Sequence, residues 1–205
     1  MKAHRLSTLL ALPLAALLST PLAAQSSPKD IVLDRLQAAV VAPQPAPGAV
    51  QSDAMAVSVL LETADGSLSP RSVNNAFRTG DRFRVKVVAA RDGHIALYNT
   101  KPDGSTSQNP VWRGPIKTGE ELVTPRLRLD GQRGEDLLHV VLEPRNEPTG
   151  PWAWVMRALG LDDKGMVNKS ATKDIVLDVQ NTASTTYVLN PTGGGLTTTL
   201  AIRHR

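Results

Sequence analysis

Past residue 24 the chain carries three histidines, His94, His139 and His204, widely separated, and it has no cysteine. Imidazole titrates near neutral pH and is the usual general base and a common metal ligand, so these residues would have to carry any acid–base chemistry. A zinc site legible in sequence needs a His-Glu-x-x-His helix or paired thiolates, and neither is present. There is no Gly-x-Ser-x-Gly nucleophile elbow and no Walker-type phosphate loop. Gly193-Gly194-Gly195 lacks both the spacing and the following helix of a nucleotide fingerprint. What remains is a triad assembled in space from His94 or His139 with a serine and an aspartate. His139 lies within Leu137-Leu138-His139-Val140-Val141-Leu142, where an imidazole on the outer face of a strand is the simpler reading. The residues therefore nominate no catalytic group, no cofactor and no metal ligand, and the expectation is a protein that is not an enzyme.

Cations offer a second kind of chemistry. Arg82, Arg84 and Lys86 alternate along one stretch and Arg126 and Arg128 along another. On extended chain each set shares a face, and neighbouring strands would merge them into one basic stripe able to hold an acidic partner, either an envelope protein or an anionic polymer. The opposing expectation is a solvated face on which carboxylates of adjoining strands offset the arginines. Overall charge does not favour nucleic acid. Two of the 23 basic residues, Lys2 and Arg5, and none of the 19 acidic ones precede Gln25, which leaves a formal charge of +2 on the rest. Bulk phosphate binding relies on many more uncompensated cations.

These side chains need a scaffold, and the periodicity describes one. Arg82-Phe83-Arg84-Val85-Lys86-Val87-Val88 alternates with period two, which directs Phe83, Val85 and Val87 to a core. Ala54 to Leu61 precedes it. His94 to Asn99 follows the turn Arg91-Asp92-Gly93, and an antiparallel hairpin with the preceding strand is the natural pairing. Leu122 to Leu129 and Leu137 to Glu143 flank the turn Asp130-Gly131-Gln132-Arg133-Gly134. Ile175 to Val179, Thr185 to Leu189 and Leu196 to Ile202 complete the set, with Asn190 to Gly195 as a glycine-rich connection. The helical exception is Pro151 to Gly160, where Trp152, Val155, Met156 and Leu159 recur at helical spacing and cover one open end of the structure. The predicted fold is mainly β, an antiparallel β-sandwich of about eight short strands with one short covering helix, spanning residues 55–205.

The amino-terminal part reads differently. Lys2, His4 and Arg5 precede an apolar run from Leu6 to Leu18, then small residues to Ala24. That is a signal-peptide layout over residues 1–24, too short to span a bilayer, which takes about 20 apolar residues. A periplasmic or secreted location is the expectation, with no transmembrane segment after cleavage. Residues 25–54 contain a short helix opened by Ser27-Pro28-Lys29-Asp30 and running to about Val41, then the proline-rich linker Ala42-Pro43-Gln44-Pro45-Ala46-Pro47-Gly48. The hexapeptide Lys-Asp-Ile-Val-Leu-Asp occurs at 29–34 and again at 173–178. Its first copy is expected to be helical and its second extended, and pairing of the two would draw the amino-terminal segment onto the sheet.

Phe77-Arg78-Thr79-Gly80-Asp81-Arg82-Phe83-Arg84-Val85, then Asp92-Gly93-His94-Ile95-Ala96-Leu97-Tyr98-Asn99, then Pro102-Asp103-Gly104 and Asn109-Pro110, together resemble a bacterial extracytoplasmic β-domain family of unknown function. The carboxyl-terminal Leu200-Ala201-Ile202-Arg203-His204-Arg205 is similar to it as well. The resemblance runs mainly over residues 55–143 and implies an accessory module, sometimes fused to signalling or protease-like domains, with no catalytic residues to carry over. Two functions follow as expectations. One is an exported, non-catalytic interaction module of the cell envelope. The alternative is an extracytoplasmic hydrolase with a spatially assembled site.

Overall fold

A computed structural model describes residues 29–30, 32–34, 37, 53–130, 133–146, 149–166, 178–182, 184–190 and 193–205. The expected signal peptide, the Ser27-Pro28 cap, the proline-rich linker and residues 173–177 of the second hexapeptide lie outside them.

Among the described residues from Asp53 onward, eleven strands and one helix follow in order: β1 (Asp53–Glu62), β2 (Leu68–Arg71), β3 (Arg82–Ala89), β4 (Gly93–Thr100), β5 (Trp112–Ile116), β6 (Glu121–Val123), β7 (Leu127–Arg128), β8 (Gly134–Leu142), α1 (Pro151–Leu159), β9 (Asp178–Asn181), β10 (Thr185–Asn190) and β11 (Leu196–His204). They form two antiparallel sheets. The first runs β6-β3-β1-β10-β9, with β7 continuing the β6 row beside β3 and β2 continuing the β10 row beside β1. The second runs β11-β8-β4-β5. The fold is thus the open antiparallel β-sandwich that the alternation predicts.

Between the sheets, the inward residues of β1 and β3 (Met55, Val57, Val59; Phe83, Val85, Val87) meet those of β4, β8 and β11 (Ile95, Leu97; Leu138, Val140, Leu142; Leu196, Leu200, Ile202) in one buried cluster. Burying each such side chain contributes roughly 1.5–3 kcal/mol. Both outer faces are partly covered too. Ala96, Tyr98 and Val141 of the second sheet pack beneath Trp154, Val155, Ala158 and Leu159 of α1, which explains why β4 and β8 read as near-continuous apolar runs. On the first sheet, Val32 packs with Ala54 and Leu189, and Lys29, Asp30, Leu33, Asp34 and Gln37 around it are helical. The first hexapeptide therefore reaches the sheet as a helix packed on its face, not as a paired strand.

Four expectations are corrected. β3 and β4 do not form a hairpin: β3 lies in the first sheet and β4 in the second, so the Ala90–Asp92 turn carries the chain across the sandwich. Likewise Asp130 to Gly134 links β7 of one sheet to β8 of the other. Leu122 to Leu129 is two short strands, because Pro125 has no N–H to donate to a ladder. Thr124 fills the break: its Oγ1 accepts from Val85 N at 3.0 Å and its N–H donates to Val85 O at 2.9 Å. Finally, α1 covers the outer face of the second sheet, not an open end, and its buried stripe runs through Trp154, Val155, Ala158 and Leu159. Trp152 and Met156 of the expected stripe are only partly buried, and Trp154 and Ala158 take their places because the helix meets the sheet on a face rotated from the one expected. Two strands went unpredicted, β2 and β5, because Pro70 and the Gly114-Pro115 pair disguise them as turns.

Candidate functional site

The expected cations come together. Arg82, Arg84 and Lys86 project from the outer face of β3, since Phe83, Val85 and Val87 take the core. β7 lies beside β3 with Arg82 directly opposite Arg128. Leu127 and Leu129 pack on the core, which turns Arg126 and Arg128 to the same outer face. Carboxylates offset part of this charge. Glu62 at the end of β1 receives Arg126 Nε at 2.7 Å and lies 4.0 Å from Arg82, Lys86 meets Glu121 at 3.1 Å, and Arg128 is 3.6 Å from Asp130. Five cations thus face three carboxylates. Arg82, Arg126 and Arg128 keep more than half of their side-chain surface in water (53%, 51% and 59%), where an ion pair is weak and its partner easily exchanged. Arg84 is more enclosed: it donates to Thr124 O at 3.2 Å, and its Nε is buried with no hydrogen-bond partner.

A second charged group is buried, and sequence reasoning did not find it. Asp53 is fully enclosed. Its Oδ1 accepts from Arg91 Nε at 2.7 Å and lies 3.1 Å from Arg145, and its Oδ2 accepts from Gly195 N at 2.9 Å. Arg91 also donates to the carbonyls of Glu143 and Asp92. Asn190 Nδ2 donates to the carbonyls of Gly193 and Gly195. One carboxylate thereby ties β1 to the β3–β4 crossover, the segment after β8 and the start of β11. No motif in the sequence joins Asp53 to partners 38 and 142 positions away.

The histidines part company. His139 is buried on the outer face of the second sheet, opposite Tyr98 and Thr199. Its Nε2 is 2.7 Å from Thr100 Oγ1, its Nδ1 is 2.9 Å from Thr199 Oγ1, and Thr100 Oγ1 is 2.6 Å from Thr106 Oγ1. A base beside a hydroxyl is the geometry of nucleophile activation, and here the pair is enclosed, with Thr100 and His139 1% and 3% exposed. The cluster acts as a polar clamp across β4, β8 and β11. His94 belongs to β4 and opposes Pro115. Among the described residues no group of histidine, aspartate and glutamate is arranged to hold a metal ion.

The turns of the resembled motifs act as structure. Gly80 has φ 92°, which strains any side chain, and Asp81 Oδ2 accepts from Arg78 N at 2.8 Å. Asp103 Oδ1 accepts from Ser105 N in the Pro102–Ser105 turn. No helix among the described residues is long and apolar enough to cross a membrane. Fold and site together define a class: an open β-sandwich with a basic outer face at one edge. No protein-family model, no curated protein and no solved structure matches the chain.

Proposed function

We propose that this chain is an exported, non-catalytic interaction module of the bacterial cell envelope, an accessory domain of the family it resembles, whose basic outer face docks an anionic protein surface or envelope polymer. The observation that carries this reading is the Arg82–Arg128 pair. Like charges directly opposite across two strands are destabilising, and here they are joined by Arg84, Lys86 and Arg126 on the same face. A face that concentrates cations at some cost to the sheet is suited to a partner of opposite charge. Export supplies the setting, through the signal-peptide layout at the amino terminus, and the proline-rich linker sets the module's reach.

The test is crosslinking of the exported protein in its native envelope, followed by mass spectrometry, beside a variant carrying Arg82→Gln, Arg126→Gln and Arg128→Gln. These side chains are half exposed, and glutamine can still donate a hydrogen bond to Glu62, which both Arg82 and Arg126 hold. A partner or polymer that is lost in the variant, and whose binding weakens with salt, is the expected result. Capture that is equal in both forms removes the basic face from the function. Hydrolytic activity abolished by Thr100→Val would instead favour the hydrolase alternative.

A further inference from the structure

The cations of the basic face stand at a constant interval. β3 pairs with β1 without a break from Phe83 to Ala89, so its outward Arg82, Arg84 and Lys86 follow one straight row at two residues per step, about 6.8 Å on extended chain. Arg126 and Arg128 form a second row beside it, with Arg128 opposite Arg82. Arg84 reaches the same flank, where its guanidinium donates to Thr124 O at 3.2 Å.

Several of these cations already hold an anion. Glu62 receives Arg126 Nε and approaches Arg82, Glu121 meets Lys86, and Asp130 meets Arg128. Each of these carboxylates is carried by the chain itself and so competes at high effective concentration. A lone anion in solution gains no more from one cation than the resident carboxylate does, and it is outcompeted. An occupant that meets the whole row displaces the residents, because every contact after the first is intramolecular. The face therefore selects for several charges on one chain.

The centre of the patch narrows the class. The middle of a protein–protein interface is depleted in charge and enriched in apolar and aromatic anchors. Here the middle is Arg84, and the neighbouring outward residues of β1, Ser58 and Leu60, are 8% and 9% exposed. The exposed Leu68 stands beyond Glu62 on β2, at the rim. Rings of the kind on which bases stack lie elsewhere: Phe77 and Phe83 are in the core, and Tyr187 packs with the Val32 group.

We propose that this face binds a linear, base-free phosphodiester polymer of the polyol-phosphate class, laid along Arg82, Arg84 and Lys86 and flanked by Arg126 and Arg128. Two residues of polypeptide place six backbone bonds between equivalent atoms. A three-carbon polyol places six bonds between successive phosphorus atoms, so the charges of the two extended chains stay in register. Guanidinium forks match the paired oxygens of each phosphate. The inference rests on the basic face being the functional site, and it commits that face to a polymer in place of a protein.

The experiment titrates the exported chain calorimetrically with glycerol-phosphate oligomers of increasing length. Affinity rises steeply up to three phosphates, the length of the β3 row, and slowly beyond, while glycerol phosphate monomer at the same total phosphate does not compete. Oligomers with a five-carbon polyol and the same number of phosphates fall out of register and bind about tenfold more weakly. Lys86→Gln and Arg128→Gln, at opposite ends of the patch, each weaken binding of the trimer and reduce its salt dependence, with circular dichroism and thermal midpoint as in the parent. Equal binding of the three- and five-carbon series overturns the inference. So does tighter binding, at equal charge, of a polyuronate, a single-stranded oligonucleotide or an alternating aspartate–serine peptide. If no polyanion binds, yet an acidic protein is captured in the envelope and lost from the arginine variant, the polymer is refuted and the basic face stands. Equal capture in both forms refutes both.

Discussion

The Asp53 corner and the basic face of β3 are built from the same materials, arginines and carboxylates, and differ in water. At the corner, Asp53 has no exposed surface and holds Arg91 and Arg145 from two connections. On the face, Glu62 holds Arg82 and Arg126, whose side chains are half in solvent. In the first setting carboxylate and Arg91 are both enclosed and form a structural rivet; in the second the Glu62 side chain is 10% exposed while its arginines stand half in solvent and can be exchanged. Burial, not residue type, decides which, because removing one partner of an enclosed pair strands an uncompensated charge, whereas an exposed arginine simply rehydrates.

Asp53→Ala is the strongest way to break this comparison. It leaves Arg91 enclosed without its carboxylate and Gly195 N without an acceptor, and it should destabilise the fold by about 3–5 kcal/mol, read as a drop in thermal midpoint of about 10 °C. A change comparable to that of a surface substitution would mean that the corner is wetter than its geometry implies. His139→Ala is next. It removes the partner of the Thr100 hydroxyl and should cost about 1–3 kcal/mol, measured by urea unfolding, with Thr106 still able to bond Thr100. Glu62→Gln should cost about 1 kcal/mol, less than the Asp53 change because the arginines it loses can rehydrate, and it frees Arg82 and Arg126 together. Binding of an anionic polymer should then tighten and its salt dependence steepen, by isothermal titration at two ionic strengths.

The smallest effect concerns acid. The backbone N–H of Thr118, then the Lys117 amine, hold Asp92 at about 2, and the Thr63 hydroxyl, then Ser67, hold Asp65 at about 2. Both folded values lie below the ordinary aspartate value of about 3.9. Their stabilisation is therefore complete above that value and is lost as pH falls from about 4 through about 2. Asp92→Asn should lower stability slightly at neutral pH while leaving it nearly unchanged near pH 2, which flattens the acid limb of the stability profile, as followed by circular dichroism across that range.

Much of this was legible in the residues. Alternation in β3 named its core and solvent faces, and Arg126 and Arg128 flanking the inward Leu127 anticipated the second half of the basic stripe. Carboxylates offsetting that stripe were anticipated as well, though not that Glu62 would serve two arginines. Pairing was the weaker part. The Arg91-Asp92-Gly93 turn looks like a hairpin because local sequence favours a tight reversal, but Arg91 turns toward Asp53 and the chain crosses to the other sheet. The hydroxyl clamp on His139 was invisible for the same reason, since Thr100 and Thr199 lie 39 and 60 positions away.

By itself the sequence determined the period-two architecture, the absence of thiol chemistry, the helix between Pro151 and Gly160, and which side chains of β3 reach water, because each depends on near neighbours along the chain. Only the tertiary structure decided which sheet each strand joins and which arginines are enclosed, because those depend on contacts between residues that the chain brings together from afar.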